Sequence, residues 1–168
     1  MSRLGDFLAG VLRGFAGARR PGEPRPAPSV GRPAGSVSRV AGPTISYSPH
    51  PGPTPDPGEV VWAYVPYEDD PAQGKVRPVL LLGPHGKDFW SVYFSSVDHD
   101  LDEAQEAREG RYWVKVGRGS WDKHGRVSYA RVDRLLTTRA DRIDSRAEVL
   151  DKPRFDAVAA GVRAHRER

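Results

Sequence analysis

Arg77 stands directly before Pro78, and Arg131 and Asp133 stand two residues apart in a run of alternating character. A guanidinium offers a planar fork of N–H donors that suits phosphate oxygens and keeps its charge at any relevant pH. The residue before a proline is biased to extended backbone, which anchors Arg77 at a strand start. Residues two apart on a strand point to one face, so Asp133 lies beside the Arg131 cation. That neighbour favours the ionised carboxylate a general base needs. Ser95 and Ser96 bring hydroxyls that can donate to an anion. The set supplies a cation, a base and neutral donors, enough for chemistry at a phosphate without a metal. Each member also has a plainer reading: a solubilising arginine at a strand end, an ordinary surface ion pair, serines where a strand stops.

Other groups complete the inventory. Lys75, Trp121 and Arg126 are candidate substrate contacts. Trp121 either stacks a base or fills the core or rim of the fold. His124 could move a proton near neutral pH, or sit solvated in a loop. Asp98-His99-Asp100 has metal-ligand residue types, but neighbours on an extended chain face opposite ways. The Gly117-x-Gly119-Ser120 run lacks the lysine of a phosphate loop and reads as a turn.

These residues need strands to hold them. Five strand-like runs are expected: Glu59–Val65, Pro78–Leu82, Phe89–Val97, Arg111–Val116 and Val127–Leu136. Breakers separate them at 66–74, 83–86 and 117–125. Short strands at this spacing predict a small antiparallel sheet or barrel. A helix should close the chain. Asp151 is placed to cap it and Pro153 falls in its first turn, while Phe155, Val158, Ala159 and Val162 form one apolar stripe.

Residues 1–57 read as an arm. Eleven of the 16 prolines lie between Pro21 and Pro57, which removes donors and disfavours helices and central strands there. The arm should be extended and flexible, with a short amphipathic helix over 3–16 as one option. A folded domain over 58–168 then carries all four tryptophans. There is no cysteine, which excludes disulfides and thiolate chemistry and fits a reducing compartment. No apolar run is long enough to cross a bilayer.

The net charge of +4 belongs to the arm, because residues 59–168 hold 19 basic and 19 acidic side chains. Inside that neutral part the signs separate. Asp98–Glu109 carries six acids and one arginine, and Arg111–Arg139 carries eight basic residues and two acids. A local positive face is therefore expected.

The run Gly58-Glu-Val-Val-Trp-Ala-Tyr-Val-Pro, then Gly74-Lys-Val-Arg-Pro-Val-Leu-Leu-Leu82, resembles the opening of the MazF/PemK (Kid-like) toxins of type II toxin–antitoxin systems. Phe94-Ser95-Ser96 sits where that family has a Thr/Ser pair, and Arg131-Val132-Asp133 is similar to the Arg-x-Asp of the PemK branch. The resemblance spans roughly residues 58–164. It implies an SH3-like barrel with a C-terminal helix, usually a homodimer in the cytoplasm. It also implies metal-independent endoribonuclease activity on single-stranded RNA, no cofactor, and a cognate antitoxin protein. Arg77, Ser95, Ser96, Arg131 and Asp133 would be catalytic.

The departures are specific. The histidine of the PemK-branch first loop is missing, with Pro71 near its place. The Gly117–Gly125 segment and the long arm are additional. They keep a second expectation alive: a non-catalytic SH3-like module that binds nucleic acid or protein.

Overall fold

The computed structural model describes residues 42–100 and 102–166. The helix considered over 3–16, and the arm as far as residue 41, lie outside them. The strands are β1 (Glu59–Pro66), β2 (Gly74–His85), β3 (Asp88–Ser95), β4 (Trp113–Gly117), β5 (Ser128–Arg131), β6 (Leu136–Thr138) and β7 (Ile143–Val149). Helix α1 (Glu103–Arg108) precedes β4, and α2 (Lys152–Arg166) follows β7.

All pairings are antiparallel, and the sheet runs β4-β5-β3-β2-β1-β7. This is the mainly β fold with a C-terminal helix that the strand pattern predicts. The sheet is open, with β4 and β7 at its ends among the described residues. One edge of β3 is divided: its last residues pair with β5 and its first with β6.

Both faces of the sheet are covered, which explains why β1 and β2 read as nearly continuous apolar runs. Val60, Leu80, Val92 and Phe94 point to one face and pack with Phe155, Val158, Ala159 and Val162 of α2. Val61, Ala63, Val79, Leu81 and Tyr93 point to the other, against Phe89, Trp113, Leu136 and Ile143. Fully burying one such side chain contributes about 1.5–3 kcal/mol. The helix starts as its sequence suggests: Asp151 Oδ1 accepts the Arg154 N–H at 3.0 Å.

Several elements depart from expectation. The single strand expected over Val127–Leu136 is two strands. β5 places Ala130 opposite Phe94, whereas β6 places Leu136 opposite Ser91, a register three residues further on. The extra residues leave the ladder between them and carry Asp133 and Arg134 out of it. Strand β7 and helix α1 show no apolar period. β7 is a polar edge strand, and α1 buries none of its residues.

The chain also joins the folded body before residue 58. The Ser46 N–H donates to Leu82 O at 2.8 Å. The Tyr47 hydroxyl donates to Leu150 O at 2.9 Å, and its ring centroid lies 5.1 Å from that of Phe155. Buried Glu59 accepts two Arg146 N–H bonds, each 2.6 Å, and Arg146 also reaches Gly52 O. Residues 42–57 are thus strapped on although proline-rich. Their prolines need no ladder, while Ile45 and Tyr47 supply apolar contact.

Candidate functional site

Tyr93 of β3 is the joint of the site. Arg77 of β2 lies over its ring, with the guanidinium carbon 5.1 Å from the centroid. Arg131 of β5 donates to its hydroxyl at 3.4 Å. Arg134, released by the break between β5 and β6, stands 5.9 Å from the same centroid and donates to Pro66 O at 3.0 Å. Strand parity does this: Arg77, Val79, Tyr93 and Arg131 share one face. Three guanidiniums from separate segments therefore meet round one aromatic ring.

Arg131 is only 3% exposed and its fork is occupied. Asp133 accepts from Nε at 2.7 and 2.9 Å and from Nη2 at 2.8 Å. Glu68, in the β1–β2 loop, takes Nη1 at 3.2 Å and Nη2 at 3.4 Å. The guanidinium also lies 5.6 Å over Trp113. Burial works against its charge, yet the Asp133 hydrogen bonds raise the Arg131 pKa above the ordinary arginine value, so it is no proton donor. Asp133 is committed as well, for its Oδ1 also accepts the Tyr112 N–H at 2.7 Å. Glu68 is different: its side chain is 60% exposed and, among the described residues, bonds only Arg131.

Beside this cluster opens a groove of about 640 Å³ where β2 begins and β3 ends. Lys75, Arg77, Ser95, Ser96, Trp121 and Arg126 line it; Arg131 and Asp133 do not. Arg77 therefore belongs to both the groove and the Tyr93 cluster. The β4–β5 loop adds Lys123, His124 and Asp122. Four permanently charged cations and one carboxylate are among its lining residues, so the groove is an attractive site for an anion. Asp122 is itself bound to Arg126 at 2.9 Å. Burial opposes its charge, but the His124 N–H and Arg126 outweigh that and lower its pKa.

Trp121 forms wall rather than platform. It is 1% exposed, edge-on to Phe94 at 5.3 Å, and its Nε1–H donates to Ser128 Oγ at 3.1 Å. Gly119 makes this possible, since a Cβ there would stand 2.1 Å from the indole. Ser95 Oγ accepts the Val97 N–H at 3.3 Å, which leaves its hydroxyl proton free to be given elsewhere.

The acidic run is drawn onto the basic run. Glu106 of α1 bonds Arg111 at 2.6 Å and accepts the Trp113 Nε1–H at 2.9 Å. The Arg111 bond, with Trp113 helping, pushes its carboxyl down to about 2. Lys115 is taken by Asp100 at 2.5 Å. Asp98 and Asp100 both receive the Tyr129 hydroxyl at 3.0 Å, whereas His99 turns away and stacks on Trp113 at 3.7 Å. Burial lowers the His99 pKa, against the pull of Glu106. Among the described residues no group of three or more His, Asp or Glu gathers as metal ligands.

Sequence reasoning did not single out Glu68, Tyr93, Lys123 or Arg134. Tyr93 reaches the face of Arg77 through the β2–β3 register, which sets Val79 opposite it and leaves no mark in the sequence. The other three lie in loops, where no period indicates direction.

No family model matches the chain, and no curated protein matches it. Among solved structures the chain is similar to the Mycobacterium tuberculosis toxin MazF-mt6, at 16% sequence identity, over 65% of this chain and 96% of that one, with a TM-score of 0.44.

Proposed function

We propose that the chain is the toxin of a type II toxin–antitoxin system, a metal-independent endoribonuclease for single-stranded RNA. The observation that carries the reading is the cationic groove that Arg77, Ser95 and Ser96 all line. The Gly58–Pro66 and Gly74–Leu82 motifs that resemble the MazF/PemK toxins supply the strand bearing Arg77. In this reading the protein works in the cytoplasm as a homodimer and is silenced by a separate antitoxin chain.

RNA brings its own nucleophile. The 2′-oxygen forms a bond to phosphorus and the bond from phosphorus to the 5′-oxygen breaks. The 2′-OH proton passes to a base, and the leaving 5′-oxygen takes up a proton. Arg77 holds the charge that grows on the phosphorane, and the two serines donate to its oxygens. Lys75, Lys123 and Arg126 hold the flanking phosphates, with Trp121 as the wall behind them. Arg131 and Asp133 support the centre through Tyr93. Asp133 takes the proton only if RNA loosens its hold on Arg131; His124, which lines the groove, is the other candidate for that role.

The experiment is cleavage of single-stranded RNA by the purified chain in EDTA, with mapping of the ends. The reading expects 2′,3′-cyclic phosphate and 5′-hydroxyl ends, and a rate on the order of 100-fold lower in Arg77→Ala. Activity that disappears with chelator refutes it. The commitment of Asp133 to four contacts favours one second reading, a binding module without catalysis. RNA binding without cleavage, and no growth arrest on expression, would select that one.

A further inference from the structure

Among the described residues Tyr64 is the largest apolar side chain left in the open, at 51% exposed, and Val76 beside it is 47% exposed. They are partners across β1 and β2: Tyr64 stands opposite Val76, and one rung further in Trp62 stands opposite Pro78. Trp62, Pro78 and Val76 all line the cationic groove. The apolar strip is thus continuous with the groove wall and runs out past its mouth, one rung being about 7 Å of strand. Lys75, next to Val76 in the chain, lines the groove as well, from the strand's other face. Tyr64 is seated rather than loose, because its Cζ would stand 2.8 Å from a Cβ on Gly74, and glycine alone leaves room for the ring there.

An exposed, seated aromatic next to a row of cations has the chemistry of a stacking platform for single-stranded nucleic acid. We propose that Tyr64 stacks a nucleobase of the bound RNA strand, one that flanks the phosphate in the groove. This rests on the RNA reading of the groove. It assigns base contact to the exposed ring of Tyr64, whereas the covered ring of Trp121 has no open face to offer.

The test is fluorescence anisotropy with a short, dye-labelled single-stranded RNA whose 2′-O-methyl groups block cleavage. Tyr64→Ala should weaken binding roughly ten-fold, as loss of one stacked base does. Tyr64→Trp should bind as well as the native chain, and Tyr64→Leu should behave as Tyr64→Ala. An oligonucleotide lacking the one base that stacks should bind native chain and Tyr64→Ala equally. If Arg77→Ala weakens binding and Tyr64→Ala does not, the platform is refuted while the groove reading stands. If the native chain binds no RNA, both fall. If Tyr64→Ala leaves RNA affinity unchanged but shifts the sedimentation of the protein, the strip is an interface between copies and the proposal is wrong.

Discussion

Removing Arg131 should damage the fold before it reports on chemistry. The side chain is 3% exposed and holds Asp133, Glu68 and Tyr93 at once. Arg131→Ala leaves Asp133, itself 13% exposed, with one N–H donor from Tyr112 and no cation. Stranding a buried charge in this way costs about 3–5 kcal/mol. Against a total stability of roughly 5–15 kcal/mol this is severe, and it corresponds to a loss of melting temperature on the order of 10–20 °C. The double variant Arg131→Met/Asp133→Asn removes both charges and should recover most of that loss, to within about 2 kcal/mol of the native chain. Arg77→Ala is the contrast. It gives up a partly exposed contact with Tyr93, worth about 0.5–1 kcal/mol, so its loss of activity reads directly on the site. Urea unfolding followed by tryptophan fluorescence measures all three, with Trp113 reporting from the Arg131 side. If Arg131→Ala unfolds within about 1 kcal/mol of the native chain, the argument from burial is refuted and the fork is available to substrate.

Other perturbations have equally definite outcomes. Glu106 has its carboxyl pushed down from the usual 4.5 to about 2, so its contribution to stability is complete above 4.5 and is lost as pH falls toward 2. Arg111→Met should flatten that part of the stability profile, measured by unfolding from neutral pH downward; an unchanged slope would contradict the assignment. Gly119→Ala forces a methyl to within 2.1 Å of the Trp121 ring, and should cost about 1–3 kcal/mol with a changed indole emission. Asp151→Ala removes the cap of α2 and should cost about 1 kcal/mol in urea unfolding.

How much was legible in the sequence differs by element. An apolar, β-branched run found β1, period-two alternation found β3, and the stripe of Phe155, Val158, Ala159 and Val162 found α2 with its cap, because burial enforces those patterns. β7 escaped because an edge strand needs only its backbone to pair, and its residues alternate in no useful way. The division of Val127–Leu136 escaped because composition carries no record of a register change. At the site, spacing put Arg131 beside Asp133, whereas the shared face of Arg77 and Tyr93 comes from the β2–β3 register. Parity could not show that the Arg131 fork is filled by Glu68 from a loop. Nor could it show that Trp121 turns inward, which depends on the space left by Gly119.

β1 borrows one of its two neighbours from the far end of the chain: Ala63 pairs with Ile143 and Glu59 with Val149. As the protein emerges from the ribosome, β1 and β2 can close into a hairpin at once, but the outer rim of β1 has no partner until the last strand is made. For that interval the nascent chain displays a row of open amide and carbonyl groups on an apolar strand, a template for pairing with another molecule. Shortening the chain from its C-terminal end would make that transient state permanent, so truncations reaching into β7 should appear as aggregates rather than as smaller folded proteins.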